Sequence, residues 1–206
     1  MTGPGRLAKR TLDVALAGGG LLISLPFSVL AAIAIKVDSR GPVFLAQPRV
    51  GLGGRQFSAW KFRSMMADAE RHVGPVQAAE HDPRVTRVGR LLRATAMDEL
   101  PQLWNIVRGD MSFVGPRALR PDEPETGETT PTPLDAVPGF AERVAVRPGL
   151  TGLAQIYARR DVRRRQKFRY DRLYIRRQSF LRDLCLILLS FWITARGTWE
   201  ARGRKF

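Results

Sequence analysis

The chain has 206 residues and a mass of 23.0 kDa, enough for one ordinary domain with its own buried core. Lys and Arg number 34 against 19 Asp and Glu, a formal net charge of +15, which points to an anionic partner: nucleic acid, an anionic membrane surface or a phosphate-bearing substrate. A single cysteine, Cys185, excludes an internal disulfide framework, the two histidines His72 and His81 argue against a His-based metal cluster, and a hydrophobic fraction of 44% excludes general disorder.

Val14 to Ile35 carries no charged residue over 22 positions. As a straight helix it is about 33 Å long, enough to cross a bilayer core. Gly18, Gly19 and Gly20 weaken it, and Pro26 near its middle removes a backbone donor and predicts a kink. Both flanks are basic: Arg6, Lys9 and Arg10 before the run, Lys36 and Arg40 after it. Charge asymmetry therefore gives no orientation, and both ends on the cytoplasmic side fit the pattern. A proline-broken helix that enters one leaflet and returns satisfies these features. A cleavable signal peptide ending at Ala32-Ile33-Ala34, a bitopic anchor and a buried core helix are the rival readings.

Strands near Val43–Ala46 and Phe57–Phe62, around Gly51-Leu52-Gly53-Gly54, predict a small hairpin. Asp82 to Ala94 reads as a basic helix, with Arg84, Arg87, Arg90 and Arg93 spaced by three. The next helix starts around Asp98. Its Leu100, Leu103, Trp104 and Val107 fall on one apolar face, and Gly109 stops it. Residues 121–138, rich in Pro, Thr and acid, read as an exposed loop. Arg159 to Arg177 is densely basic and interleaved with Phe168, Tyr170 and Tyr174. Leu184 to Ile193 is too short to span and suits an interfacial or packed helix, with Trp192, Arg196, Trp199 and Arg202 resembling an interface anchor.

The chemistry concentrates between Arg93 and Arg117. Asp98 and Glu99 sit side by side at a helix start, where the positive helix end favours their anionic forms, and Pro101 is tolerated in a first turn. Adjacent positions diverge by about 100° on a helix. One carboxylate is thus suited to bind a hard cation such as Mg2+ while the other attacks an electrophile, with Arg93 and Arg117 placed to receive phosphate. Simple N-terminal capping by acids is the bland alternative.

The motifs, in order, resemble those of the bacterial polyprenyl-phosphate phosphoglycosyl transferases of the monotopic class, the bacterial sugar transferases. They run from Lys9-Arg10-Thr11-Leu12-Asp13 through Gly41-Pro42-Val43-Phe44, Arg49-Val50-Gly51 and Trp60-Lys61-Phe62-Arg63-Ser64-Met65. They are densest in Asp98-Glu99-Leu100-Pro101-Gln102-Leu103-Trp104-Asn105 and Gly109 to Arg117, and they resume in Arg147-Pro148-Gly149-Leu150-Thr151-Gly152-Leu153-Ala154-Gln155 and Tyr170-Asp171. The resemblance implies a mainly α fold with a small β-hairpin: residues 1–40 as a re-entrant membrane helix, residues 41–206 as a cytoplasmic catalytic domain.

It further implies Asp98 as nucleophile, Glu99 as Mg2+ ligand, and Lys61, Arg93, Pro116, Arg117, Gln155 and Asp171 on the substrate side. Lys9, Arg10, Ser24 and Pro26 belong to the membrane element. The implied reaction takes a phosphosugar from a UDP-sugar, leaves it on Asp98 with loss of UMP, and passes it to polyprenyl phosphate, the first membrane step of glycoconjugate, capsule or exopolysaccharide synthesis. The implied place is the cytoplasmic face of the bacterial inner membrane, against anionic lipids, with no nucleic acid as partner and a homodimer allowed. Three positions depart from the pattern: Leu25 stands where Ser usually precedes the membrane proline, Ala118 follows Pro116-Arg117, and Tyr157-Ala158 replaces an Asn-Gly pair. A membrane-tethered basic nucleic-acid-binding protein fits the charge but leaves the Asp98-Glu99 region unexplained. An exported protein with a cleaved signal is the third reading.

Overall fold

The computed structural model describes residues 3–71, 74, 82–121, 124–125, 132–159 and 162–196, with side chains from Gly5 onward. His72, His81, Trp199, Arg202 and parts of the 121–138 segment lie outside the described residues.

The apolar run forms one helix, α1 (Gly3–Asp38), with the glycine triplet and Pro26 inside it. By length and composition it is apolar enough to cross a membrane. It lies along the rest of the protein, one face inward. Asp13, Ala17 and Ile35 are buried on that face. Ser24 and Ser28 continue it, half-buried, between Gly20 and Ala31. Small side chains at these helix-spaced positions let the backbone approach its support, and a Cβ at Gly20 would lie 3.1 Å from Leu103. Leu22, Ile23, Leu25, Phe27, Leu30 and Ile33 point away, all more than half exposed. Leu25 removes the usual serine before Pro26, yet Ser24 one step earlier bonds back to the Leu21 carbonyl at 3.4 Å.

Lys9 and Arg10, read from the sequence as a basic membrane flank, are engaged by the protein. Lys9 Nζ donates to Asp183 Oδ2 at 2.7 Å and to the Val114 carbonyl at 3.1 Å. Arg10 donates to the Ile106 and Val107 carbonyls at 2.6 and 2.9 Å, supplying donors to carbonyls in the last turn of the helix that ends at Arg108. Asp13 accepts from the Ser112 hydroxyl and the Phe113 amide. The far end is held too: Asp38 accepts from the Val88 amide, and Arg63 donates to the carbonyls of Ile35, Ser39 and Arg40.

The hairpin is β1 (Phe44–Val50) and β2 (Gln56–Phe62), antiparallel, with Phe44 opposite Phe62. It is longer in its first strand than the sequence suggests. The predicted basic helix shortens to α2 (Arg87–Ala94), capped by the Thr86 side chain. Arg84 falls outside it because Asp82 captures both its guanidinium and its amide in a turn. Asp98 and Glu99 are not on the first turn of the next helix. They occupy a separate 3-10 turn, Met97–Glu99, entered through Ala96 in the left-handed conformation at φ 54°.

Pro101 then caps α3 (Gln102–Arg108), which Gly109 ends at φ 97°. Leu103 and Ile106 enter the main core, while Trp104 turns half outward, so the expected apolar face is narrower by one residue. Buried Asn105 laces α3 to β2: its Oδ1 accepts from the Trp60 amide and its Nδ2 donates to the Ser58 carbonyl.

A second sheet, absent from the sequence reading, pairs β3 (Ser112–Val114) in parallel with β4 (Gly149–Thr151). Three glycines make it possible. A Cβ on Gly149 or Gly152 would overlap the Gly115 backbone. Between these strands, Leu134 and Val137 are buried, so the segment expected as an exposed loop anchors there before α4 (Phe140–Val144). After β4 come α5 (Leu153–Tyr157), α6 (Arg164–Arg176) and α7 (Phe180–Ala195). The last is both packed and exposed: Leu186, Ile187 and Ile193 join the core with Ala17, while Leu181, Leu188, Phe191 and Trp192 face outward.

Candidate active site

β2 supplies one wall of a cavity of about 370 Å3. Lys61, Phe62 and Arg63, just past the strand end, all border it, and Phe62 also packs with Ile35 and Leu92. The 3-10 turn brings Asp98 and Glu99 up to Lys61. The Lys61 ammonium donates to Glu99 Oε1 at 2.5 Å and lies 3.9 Å from Asp98 Oδ2. Arg117, just past β3, reaches the same Glu99 oxygen at 3.2 Å. Burial alone pushes the Glu99 carboxyl up, but the Lys61 and Arg117 cations outweigh it and hold the group at about 2. It is therefore a carboxylate at any physiological pH. Its second oxygen accepts no hydrogen bond among the described residues.

Of the eight substrate-side and catalytic positions expected from the sequence, seven line this one cavity: Lys61, Arg93, Asp98, Glu99, Arg117, Gln155 and Asp171. The eighth, Pro116, is buried behind it and accepts from the Gly149 amide at 2.8 Å, which fixes the turn that presents Arg117. Asp171 lies on α6 with its carboxylate on Arg143, 2.9 Å away. Burial is the largest influence on both members of that pair, raising the Asp171 carboxyl and lowering Arg143, against their mutual attraction.

The sequence singled out neither Arg49, Arg120 and Arg143 nor Glu70, all of which line the cavity. Arg49 donates to the Ala118 carbonyl, and Arg120 holds Glu70 in a two-pronged pair at 2.6 and 2.7 Å. Single arginines in a chain with 29 of them carry no signal of their own. Arg49 alone had a hint, in the Arg49-Val50-Gly51 run.

The pattern of adjacent carboxylates facing clustered cations across a motif-built turn is mirrored in sequence. Residues 4–197 match the family described as Bacterial sugar transferase. The chain belongs to this family. It is 44% identical over 191 residues to the "UDP-glucose:undecaprenyl-phosphate glucose-1-phosphate transferase" of Caulobacter vibrioides, covering 88% of this chain and 67% of that protein. It is 42% identical over 191 residues to the "Undecaprenyl-phosphate glucose phosphotransferase" of Komagataeibacter xylinus, covering 89% of this chain. The chain spans only 35% of that relative's length. It is 38% identical over 197 residues to "Exopolysaccharide production protein ExoY" of Rhizobium meliloti, of which it spans 83%. The matched range takes in nearly all of helix α1 and every cavity residue named above, so in this bacterial sugar transferase the two lie within one family match.

Among the described residues no cluster of three or more metal-ligating side chains exists. Mg2+ needs no such cage, since one or two carboxylates plus substrate phosphates commonly complete its shell. Glu99, with one oxygen unengaged, and neighbouring Asp98 fit that donor set.

Proposed function

We propose that this bacterial sugar transferase moves a phosphosugar from a UDP-sugar to polyprenyl phosphate at the cavity around Asp98. The observation that carries the reading is the Asp98–Glu99 turn held against Lys61 and Arg117 in a cavity rich in guanidinium groups. An electron pair on the Asp98 carboxylate forms a bond to the sugar-bearing phosphorus, and the bond from that phosphorus to the bridging oxygen breaks, releasing UMP. A phosphate oxygen of the polyprenyl phosphate then attacks the same phosphorus. Asp98 leaves as a carboxylate and polyprenyl-diphosphate-sugar is formed. Splitting one displacement between two anions into two steps is what an anchored nucleophile offers.

Lys61 and Arg117 neutralise charge that gathers on the transferring group. Glu99 is the residue that would hold Mg2+, which when bound would add further charge neutralisation on the phosphates. UDP-glucose is the first donor to test, because two of the three relatives above carry glucose in their names. The product would feed exopolysaccharide, capsule or another glycoconjugate.

The membrane arrangement is part of the proposal. Both ends of α1 dock on the same body, Lys9 and Asp13 at one end and Asp38 to Arg40 at the other. A helix that put its ends on opposite sides of a bilayer would forfeit one of these sets. We therefore read α1 as monotopic and re-entrant in the inner membrane. Its outward apolar face and that of α7 meet lipid, the basic α6–α7 surface meets anionic headgroups, and the cavity opens to the cytoplasm.

The decisive experiment incubates the purified protein with UDP-glucose labelled in the sugar phosphate, quenches before polyprenyl phosphate is added, and maps the label. Label on Asp98, lost in Asp98→Asn together with UMP release, is the expected result. Label elsewhere, or UMP release by Asp98→Asn at a near-normal rate, reassigns the nucleophile. For topology, single cysteines at exposed Leu7 and Val37 in a Cys185→Ser background should be labelled in inside-out vesicles only. Labelling of either in intact cells contradicts re-entry.

A further inference from the structure

One guanidinium in the cavity wall is placed unlike the others. Arg143 springs from the short helix α4 and is buried, 4% exposed. Its side chain enters the space between α6 and the chain leaving β3. Nε donates to Asp171 Oδ2 at 2.9 Å, Nη2 donates to the backbone carbonyl of Arg117, and the group lies 4.8 Å from the centroid of the Phe168 ring. Two in-plane bonds and one ring face leave it a single orientation. A lysine offers no such planar fork.

Arg117 needs an anchor. Its side chain is 43% exposed, yet its guanidinium must meet Glu99 at 3.2 Å. The residue lies beyond the end of β3 and joins the sheet only through an isolated bridge to Gly149. The carbonyl of Arg117 is the backbone group that Arg143 holds. A buried ion pair can often be replaced by apolar side chains without loss of stability, so a fully buried Arg–Asp pair beside the cavity calls for a geometric reason.

We propose that Arg143 is a positioning residue for the transfer reaction: it fixes the backbone of Arg117 and thereby the reach of the Arg117 guanidinium to Glu99 and the transferring phosphate. The inference rests on the phosphosugar-transfer reading above. Asp171, in this account, orients Arg143 from α6 and acts on the substrate through it.

The test is a double-mutant cycle on the full chain in lipid nanodiscs, with UMP release from UDP-glucose and undecaprenyl phosphate as the rate. Arg143→Lys is expected to lower kcat about tenfold, the worth of one charge-assisted hydrogen bond. In an Arg117→Met background the same substitution should change kcat by less than twofold, because the path runs through Arg117. Effects that multiply, or an Arg143→Lys enzyme within twofold of the wild type, overturn the proposal.

A second measurement does not depend on turnover: amide hydrogen exchange over residues 115–120 should quicken about tenfold in Arg143→Lys with exchange in β1 and β2 unchanged, and unaltered exchange at 115–120 overturns the proposal. If Arg143→Lys does not fold, Asp171→Asn is run through the same cycle and exchange measurement, with the same outcomes. A wild type that releases no UMP from any UDP-sugar sinks the transfer reading instead, and the exchange result still decides the role of Arg143.

Discussion

Lys61→Met removes the cation that touches both members of the carboxylate pair, and its effect on stability has a pH signature. In the native protein Glu99 sits at about 2, against 4.5 for an ordinary glutamate, because Lys61 and Arg117 outweigh a strong effect of burial. A depression of that size corresponds to roughly 3 kcal/mol at neutral pH. The group is lowered on folding, so this contribution is complete above pH 4.5 and fades as pH falls toward 2. In Lys61→Met, Glu99 keeps Arg117 at 3.2 Å but loses the 2.5 Å ammonium, and burial drives its carboxyl back up. The variant should be less stable than the wild type at pH 7 by about 2–3 kcal/mol, a melting temperature lower by roughly 5–10 °C for a chain of this size. The gap should narrow on acidification, since protonation removes from the wild type what the variant already lacks. Thermal unfolding of both proteins in the same detergent at pH 7, 5 and 3.5 reads this directly. A gap that stays constant across the series refutes the charge argument and leaves only lost packing.

Other perturbations follow from contacts that support the fold around the cavity. Lys9→Met leaves the buried Asp183 carboxylate with the Tyr174 hydroxyl but no cation, and should cost about 3–5 kcal/mol; adding Asp183→Leu should restore at least half in a denaturation assay. Gly149→Ala places a Cβ on the Gly115 nitrogen and the Thr151 carbonyl, both backbone, so the loss should exceed the roughly 1–3 kcal/mol of ordinary overpacking; a loss below 1 kcal/mol would show that β3 and β4 separate more easily than their contact suggests. Ala96→Gly should leave stability unchanged or raise it by up to about 1 kcal/mol, whereas Ala96→Val should lower it, because φ 54° suits no β-branched residue; melting curves that rank them the other way would remove the left-handed entry to the Asp98 turn.

The sequence made legible what is periodic or locally punctuated. The hairpin was readable from two apolar runs around Gly51–Gly54, and the end of α3 from Gly109. The cavity residues from Lys61 to Asp171 were reachable only because their motifs resemble a family, since an Asp-Glu pair alone is ordinary capping. What stayed hidden depends on partners far along the chain. β3 and β4 are three residues each, too short for an alternation signal, and their parallel pairing rests on glycines more than thirty residues apart. Lys9 and Arg10 looked like headgroup-seeking charges because nothing local reveals that Asp183 and the end of α3 await them. Asp98 was placed on a helix because the reversal at Ala96 leaves no composition signature.

The docking of α1 also has a consequence for how the protein is made. The helix leaves the ribosome before the seats it docks on, which are Ser112, Phe113, Asp183 and the residues around them. At roughly 5–20 residues per second, the stretch from α1 to Asp183 takes on the order of ten seconds or more to synthesise. For that interval a strongly apolar helix has no cradle of its own. Its early refuge must be lipid or a targeting factor, and the enzyme body would then assemble around a segment already committed to the bilayer.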